Sequence, residues 1–276
     1  MAVKKDNFWD NFWSNNNYLY FQNNTDSWVN LVIKYNYETV RSIIKKENKI
    51  NDKILEIGCG SAKFTQFISN SKTKSTISDI NINILKQAKD ILNSLKIKTN
   101  TIQLDLSRKF NHKETYDVVF SGGVLEFFED IDTPINNMYK LTSQKGLCLA
   151  IVIPRKISIQ TIANIQKSIV YLFRNILLLK KIKFNNLIYD HVDKSTYANS
   201  YNYKIYKKSF LDAGFNQVKV YSLTPFPSFA IGKKLDSVYA KLINKFFSNF
   251  IFSFNKSTSP LSIFWGSAFL VYAKKN

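Results

Sequence analysis

The chain has 276 residues, 45% of them hydrophobic, which is enough for one large core or two small ones and excludes disordered, collagen-like and coiled-coil classes. Lys and Arg number 39 against 20 Asp and Glu, a formal net charge of +19. The excess is uneven, with 20 basic and 16 acidic side chains in residues 1–150 and 19 against 4 in residues 151–276, so the second half carries the electrostatic field.

In chain order, the first residues carry no apolar run of signal-peptide kind, which predicts a cytoplasmic protein. Phe8 and Phe12, and Trp9 and Trp13, stand four apart and so share helical faces, predicting a helical cap within residues 1–50. Apolar runs of strand length then alternate with helical patterns. Strands are predicted at 53–57, 74–78, 98–104, 116–121, 146–153, 218–222 and 269–274, with helices at 62–70, 83–95 and 134–141 between the early ones. Short crossovers of this kind make neighbouring strands parallel, so the fold class is α/β, a seven-stranded doubly wound Rossmann-like sheet.

This sheet occupies residues 51–154 and resumes in 201–276. The insertion between, 155–200, places Ile162, Ile165, Ile169, Leu172, Ile176 and Leu179 at steps of three and four, the pattern of an amphipathic helix able to act as a lid. Its apolar runs fall short of the roughly 20 residues needed to span a bilayer. Lying on one is a different matter. Lys167, Arg174, Lys180, Lys181 and Lys183 could meet anionic head groups, as could Lys241, Lys245 and Lys256 near Phe246, Phe247, Phe250, Phe252 and Phe254.

The chemistry begins at Ile54-Leu55-Glu56-Ile57-Gly58-Cys59-Gly60-Ser61-Ala62, an apolar strand ending in a glycine turn that opens a helix. Glycines there permit a tight bend and close backbone approach to a bound group. Asp79 ends the second strand, 19 residues beyond Gly60, where a carboxylate can accept from both hydroxyls of a ribose, and Asp105 follows the third strand on the same side. Carboxyl ends of parallel strands are where this architecture binds ligands, so the three features converge on one crevice.

These residues, with Phe8-Trp9-Asp10, Ser78-Asp79-Ile80-Asn81, Leu104-Asp105-Leu106, Tyr116-Asp117-Val118-Val119-Phe120, Gly123-Val124-Leu125-Glu126, Lys145-Gly146 and Phe210-Leu211-Asp212-Ala213-Gly214-Phe215, make the chain resemble the class I S-adenosylmethionine-dependent methyltransferases, within them the group acting on small molecules and lipids. The resemblance implies S-adenosyl-L-methionine as cofactor. Gly58 and Gly60 would border its methionine part, with Glu56 supporting their loop. Asp79 would hold the ribose, Ile80 would pack on the adenine, and Asp105 with the Leu106 backbone would recognise the adenine amino group. Ser121 and Gly122 would line the passage to the transferable methyl. A dinucleotide fingerprint fits less well, since Lys63 stands where its third glycine belongs.

Two positions depart from the family pattern. Ala62 replaces a frequent third glycine, at small expected cost if the helix has already begun there, and Phe127 stands where many relatives carry His. Of the two histidines, His112 reads as a solvated turn residue. His191, in Tyr189-Asp190-His191-Val192-Asp193, is the candidate general base.

Ser121-Gly122-Gly123-Val124 replaces the Asn/Asp-Pro-Pro-aromatic motif of relatives that methylate base amines, and Cys59 and Cys148 read as buried residues rather than nucleophiles, forming neither a metal motif nor a disulfide framework. The expected acceptor is therefore a small or lipid-like metabolite, with an anionic membrane surface as partner. Two competing readings are an RNA methyltransferase that stacks bases on Tyr197, Tyr201, Tyr203 and Tyr206 among the lysines, and a non-enzymatic cofactor-binding scaffold.

Overall fold

The structure is a computed structural model that describes residues 20–50, 52–108, 112–153, 157–177 and 198–276, of which residues 174–177 are described in their backbone alone. The chain enters through helix α1 (Trp28–Lys46), whose N-cap Ser27 accepts from the Asn30 amide, and then alternates: β1 (Lys53–Ile57), α2 (Lys63–Ile68), β2 (Lys74–Asp79), α3 (Ile82–Ser94), β3 (Thr99–Gln103), β4 (Tyr116–Gly122), α4 (Asp132–Leu141) and β5 (Thr142–Val152). After β5 come α5 (Gln160–Leu177), α6 (Tyr203–Asp212), β6 (Gln217–Leu223), α7 (Lys233–Asn255), α8 (Pro260–Trp265) and β7 (Ala268–Lys274).

The seven strands form one sheet in the order β3-β2-β1-β4-β5-β7-β6. β1 to β5 pair in parallel, and β7 lies antiparallel between β5 and β6. Strand order reverses between β1 and β4, so the crossover loops diverge there and leave a crevice at the carboxyl edge. Central strands read as unbroken apolar runs because both faces are covered: Leu55, Val119, Cys148 and Val271 pack toward α4 and α6, while Ile54, Val118, Leu149 and Leu270 pack toward α1 and α2.

All seven predicted strands are present, with ends shifted by up to four residues. The predicted helix over 62–70 is shorter, at Lys63–Ile68. Helix α1 lies within the predicted cap, residues 1–50, and α7 falls outside the predicted elements; the two pack on each other through Trp28, Leu31, Tyr35, Ala240, Ile243 and Ile251. The Tyr35 hydroxyl donates to Asn244 Oδ1 at 2.7 Å, and the Trp28 amide donates to Asp236 Oδ2 at 3.0 Å. The aromatic residues Phe8, Trp9, Phe12 and Trp13 lie outside the described residues. No helix among the described residues is long and apolar enough to cross a membrane.

Candidate active site

The carboxyl end of β1 runs straight into the glycine turn. Gly58 and Gly60 have φ of +61° and +50°, in the region where only glycine is unstrained. At Gly58 there is a second reason for glycine, because a Cβ there would come within 2.5 Å of Val124 Cγ2 from the loop after β4. Ala62 corrects an expectation. It is the N-cap of α2, at φ 55° and ψ 38°, so the helix has not yet begun and the residue is left-handed. Its methyl is fully buried beside Cys59 and Ile77, which offsets part of the roughly 1–2 kcal/mol of left-handed strain.

Glu56 ties this turn down from below. Its carboxylate, 4% exposed, accepts from the Thr65 amide at 2.9 Å and the Thr65 hydroxyl at 2.6 Å, both in the first turn of α2. Burial pushes its pKa up to about 7 against the pull of those hydrogen bonds. A protonated or ionised carboxyl at this spot holds the helix N-terminus to the strand, where unpaired amides favour an acceptor.

Asp79 sits one strand over. Its Oδ2 accepts from the Gly60 amide at 3.2 Å and its Oδ1 from the Asn81 amide at 3.0 Å, so one carboxylate connects the glycine turn to the turn that opens α3. Asn81 caps that helix by accepting from Asn83 and Ile84. Burial raises the Asp79 pKa, and the backbone amides of Asn81, Gly60 and Ile80 oppose the rise. The next side chain, Ile80, is 54% exposed, an apolar surface at the rim of the crevice.

Asp105 lies two residues beyond β3. Its Oδ1 accepts from the Ser107 amide at 2.9 Å and hydroxyl at 2.6 Å, and its Oδ2 pairs with Arg108 Nε at 3.2 Å. Leu106 is buried, and its carbonyl accepts from Asn137 Nδ2 at 2.9 Å, which fixes this loop to α4.

After β4, Ser121 is 1% exposed and its hydroxyl has no hydrogen-bond partner among the described residues. A buried hydroxyl without a partner is uncommon. Gly122 is exposed. Close by in sequence, Glu126 is 1% exposed, with Oε1 accepting from the Ile153 amide at 3.2 Å and Oε2 without a partner among the described residues. Burial pushes its pKa up to about 8. Glu126 has no role among the residues expected from the sequence, where a lone carboxylate in the run Gly123-Val124-Leu125-Glu126-Phe127 is the available signal.

Other predicted candidates fall elsewhere. His191 lies outside the described residues, as does Tyr197. His112 stacks on Tyr116 at the amino end of β4, the edge opposite the crevice. Cys59 and Cys148 are buried with thiol pKa values raised by burial, as expected of inert cysteines. Of the tyrosines proposed for base stacking, Tyr206 is a correction, being fully buried and donating to Asn199 Oδ1, whereas Tyr201, which donates to the Glu129 carbonyl, and Tyr203 are partly exposed. Tyr206 is a core residue because it fills the space between α6 and Phe269. No cluster among the described residues has the make-up of a metal site.

Fold and site together resemble those of the class I methyltransferases, the class whose cofactor is S-adenosylmethionine. Residues 55–148, from the middle of β1 into β5, match the family described as methyltransferase domain. Among solved structures, an S-adenosylmethionine-dependent methyltransferase from Clostridium acetobutylicum ATCC 824 shares the fold at TM-score 0.54 and 11% identity, covering 88% of this chain and 92% of its own. The plantazolicin methyltransferase BpumL, solved in complex with SAH, aligns at TM-score 0.55 and 15% identity over 100% of this chain and 91% of its own. The CurJ carbon methyltransferase aligns at TM-score 0.51 and 14% identity, over 89% of this chain and 55% of its own. No curated protein matches the chain.

Proposed function

We propose that this protein moves a methyl group from S-adenosylmethionine to a small or lipid-like metabolite by in-line displacement. The bound cofactor supplies a sulfonium methyl that is already electrophilic. What the chain must contribute is position, and orientation of this kind can supply roughly 7–11 kcal/mol of the barrier.

In this reading Gly58 and Gly60 present backbone to the methionine part, and Glu56 holds their loop to β1. The Asp79 carboxylate takes the ribose hydroxyls while keeping the Gly60 and Asn81 amides. Ile80 packs on the adenine. Asp105 and the Leu106 backbone take the adenine amino group in place of Arg108, whose side chain is 83% exposed and whose pairing is therefore worth little. Ser121 and Gly122 line the passage to the methyl, which gives the orphan hydroxyl a partner. With Phe127 in the usual histidine position, the acceptor's proton goes to His191 or leaves to solvent.

The observation that carries the acceptor class is the face of α5. This helix leaves the crevice end of β5, yet Ile162, Ile165 and Ile169 are exposed along one stripe instead of packing on the core. An apolar wall beside the crevice suits an apolar acceptor.

The test is transfer of label from methyl-labelled S-adenosylmethionine into a cell extract separated into lipid, RNA and water-soluble pools, with Asp79→Ala as control. Label entering the lipid or soluble pool and absent from the control is the expected result. Label confined to RNA would transfer the assignment to an RNA methyltransferase, and tight cofactor binding without label in any pool would make the protein a scaffold.

A further inference from the structure

Helix α7 has three faces. Ala240, Ile243 and Ile251 pack inward on α1. A second face carries Leu235, Val238, Leu242, Phe246 and Phe250, at steps of three and four, and all five are exposed, Phe246 by 65% and Leu235 by 62%. The third face holds the exposed Lys234, Lys241 and Lys245, each immediately before a stripe residue and so about 100° round the axis from it, with Lys241 also pairing with the exposed Asp26 at 3.1 Å. Asp236, the helix's single carboxylate, is turned away and accepts from the Trp28 amide. A stripe of this size left in water is the mark of an interaction surface.

Its place in the fold connects it to the crevice. β6 ends at Leu223 opposite Ala268, where β7 begins, and Val152 at the end of β5 pairs with Phe269, so the segments leading into α5 and α7 leave the crevice edge of the sheet and the segment after α8 returns to it. Gln160 and Gln166 of α5 bond reciprocally to the backbone of Ser228 and Ala230, just before α7, and the Ile159 amide donates to the Trp265 carbonyl at the end of α8. The exposed side chains Phe173 on α5 and Leu261 on α8, at 61% and 74%, extend the apolar surface on these linked elements.

We propose that the apolar stripe of α7, with its lysine flank, docks on an anionic lipid bilayer. The stripe enters the boundary between head groups and acyl chains, and the lysines meet the anionic head groups. Two copies of the chain suit this face poorly, because each brings a half with 19 basic and 4 acidic side chains to the other. Nucleic acid suits it less well, since three of the five stripe residues, Leu235, Val238 and Leu242, offer no ring on which a base can stack. Docking this way brings the crevice edge close to lipid, and it rests on the methyl-transfer reading only for what the crevice does there.

The test is flotation with vesicles of phosphatidylglycerol and phosphatidylcholine, against vesicles of phosphatidylcholine alone, with cofactor affinity measured by calorimetry on the same samples. The unmodified chain should float with the anionic vesicles, and less as salt is added. Phe246→Glu with Phe250→Glu, and separately Lys234→Glu with Lys245→Glu, should each lower the bound fraction on the order of tenfold at unchanged cofactor affinity. Failure to float with anionic vesicles, or equal flotation of the variants, overturns the proposal. So does a dimer, or an RNA complex, that the phenylalanine variant breaks while vesicles stay unbound. Absence of cofactor binding in every sample would remove the methyl-transfer reading and leave the flotation result to decide docking alone.

Discussion

At the scale of single residues, the site is made of positions where backbone strain, burial and charge meet. Gly58→Ala should destabilise the protein by about 2–4 kcal/mol in urea unfolding, the sum of left-handed strain and overlap with Val124. Adding Val124→Ala should recover the overlap share, giving a coupling of about 1–3 kcal/mol in the double-mutant cycle; additivity would mean that Val124 does not close over the turn. Asp79→Ala should weaken cofactor binding by about 1.5–3 kcal/mol in calorimetry, since it removes the charged acceptor for the ribose and frees the Gly60 amide, and unchanged affinity would sink the ribose assignment. Glu126 makes a pH prediction. Its folded pKa, about 8, lies above the ordinary carboxylate value, so the folded state binds the extra proton and stability falls as pH rises from about 4.5 through 8. Glu126→Gln should flatten that slope in unfolding curves at several pH values, with the remainder set by Glu56, Asp79 and Glu38, whose pKa values burial also raises, and an unaltered slope would show that Glu126 is not the group that titrates.

At the scale of elements, α2 is a helix of six residues, too short to stand alone, and its N-terminus is held by Glu56. Thr65→Val keeps the backbone bond to Glu56 and removes the hydroxyl bond inside a buried pair. It should cost about 1–2 kcal/mol in unfolding experiments, and a neutral result would place the hold of Glu56 on the amides alone. The central strands and the glycine turn were legible in the sequence because β1, β4, β5 and β7 are largely apolar runs, and because Gly58, Asp79 and Asp105 recur at strand ends. The bounds of α1 within the cap and the whole of α7 were not. On α1 the buried face includes Asn36 and Thr39, which bond to Thr224 and Asn255 and break the apolar stripe. On α7 apolar residues fall on an inward and an outward face together, so no single period stands out. Val124 and Thr65 escaped notice for another reason: their contacts with Gly58 and Glu56 cross between elements and have no signature in either segment. Ala62 was misread because helix propensity says nothing of a cap that turns left-handed.

For the molecule as a whole, the charge asymmetry that gives the second half its field also works against the fold. A formal charge of +19 on a chain this size repels itself, and the ion pairs Lys53–Glu114, Lys49–Asp52 and Lys274–Glu47 lie at least partly in water, where each is worth little. Screening should therefore stabilise the protein. Raising ionic strength with sodium chloride from about 0.01 M to about 0.15 M shortens the Debye length from roughly 30 Å to roughly 8 Å and covers most long-range repulsion between lysines. Stability should rise by about 1 kcal/mol over that range, read as a shift of the urea midpoint at constant slope. A midpoint that falls would mean that attractive pairs outweigh the repulsion, and that the lysines are matched by carboxylates of their own chain. A rise would leave those same lysines unmatched within the chain, which is the condition under which a positively charged surface gains most from an anionic partner.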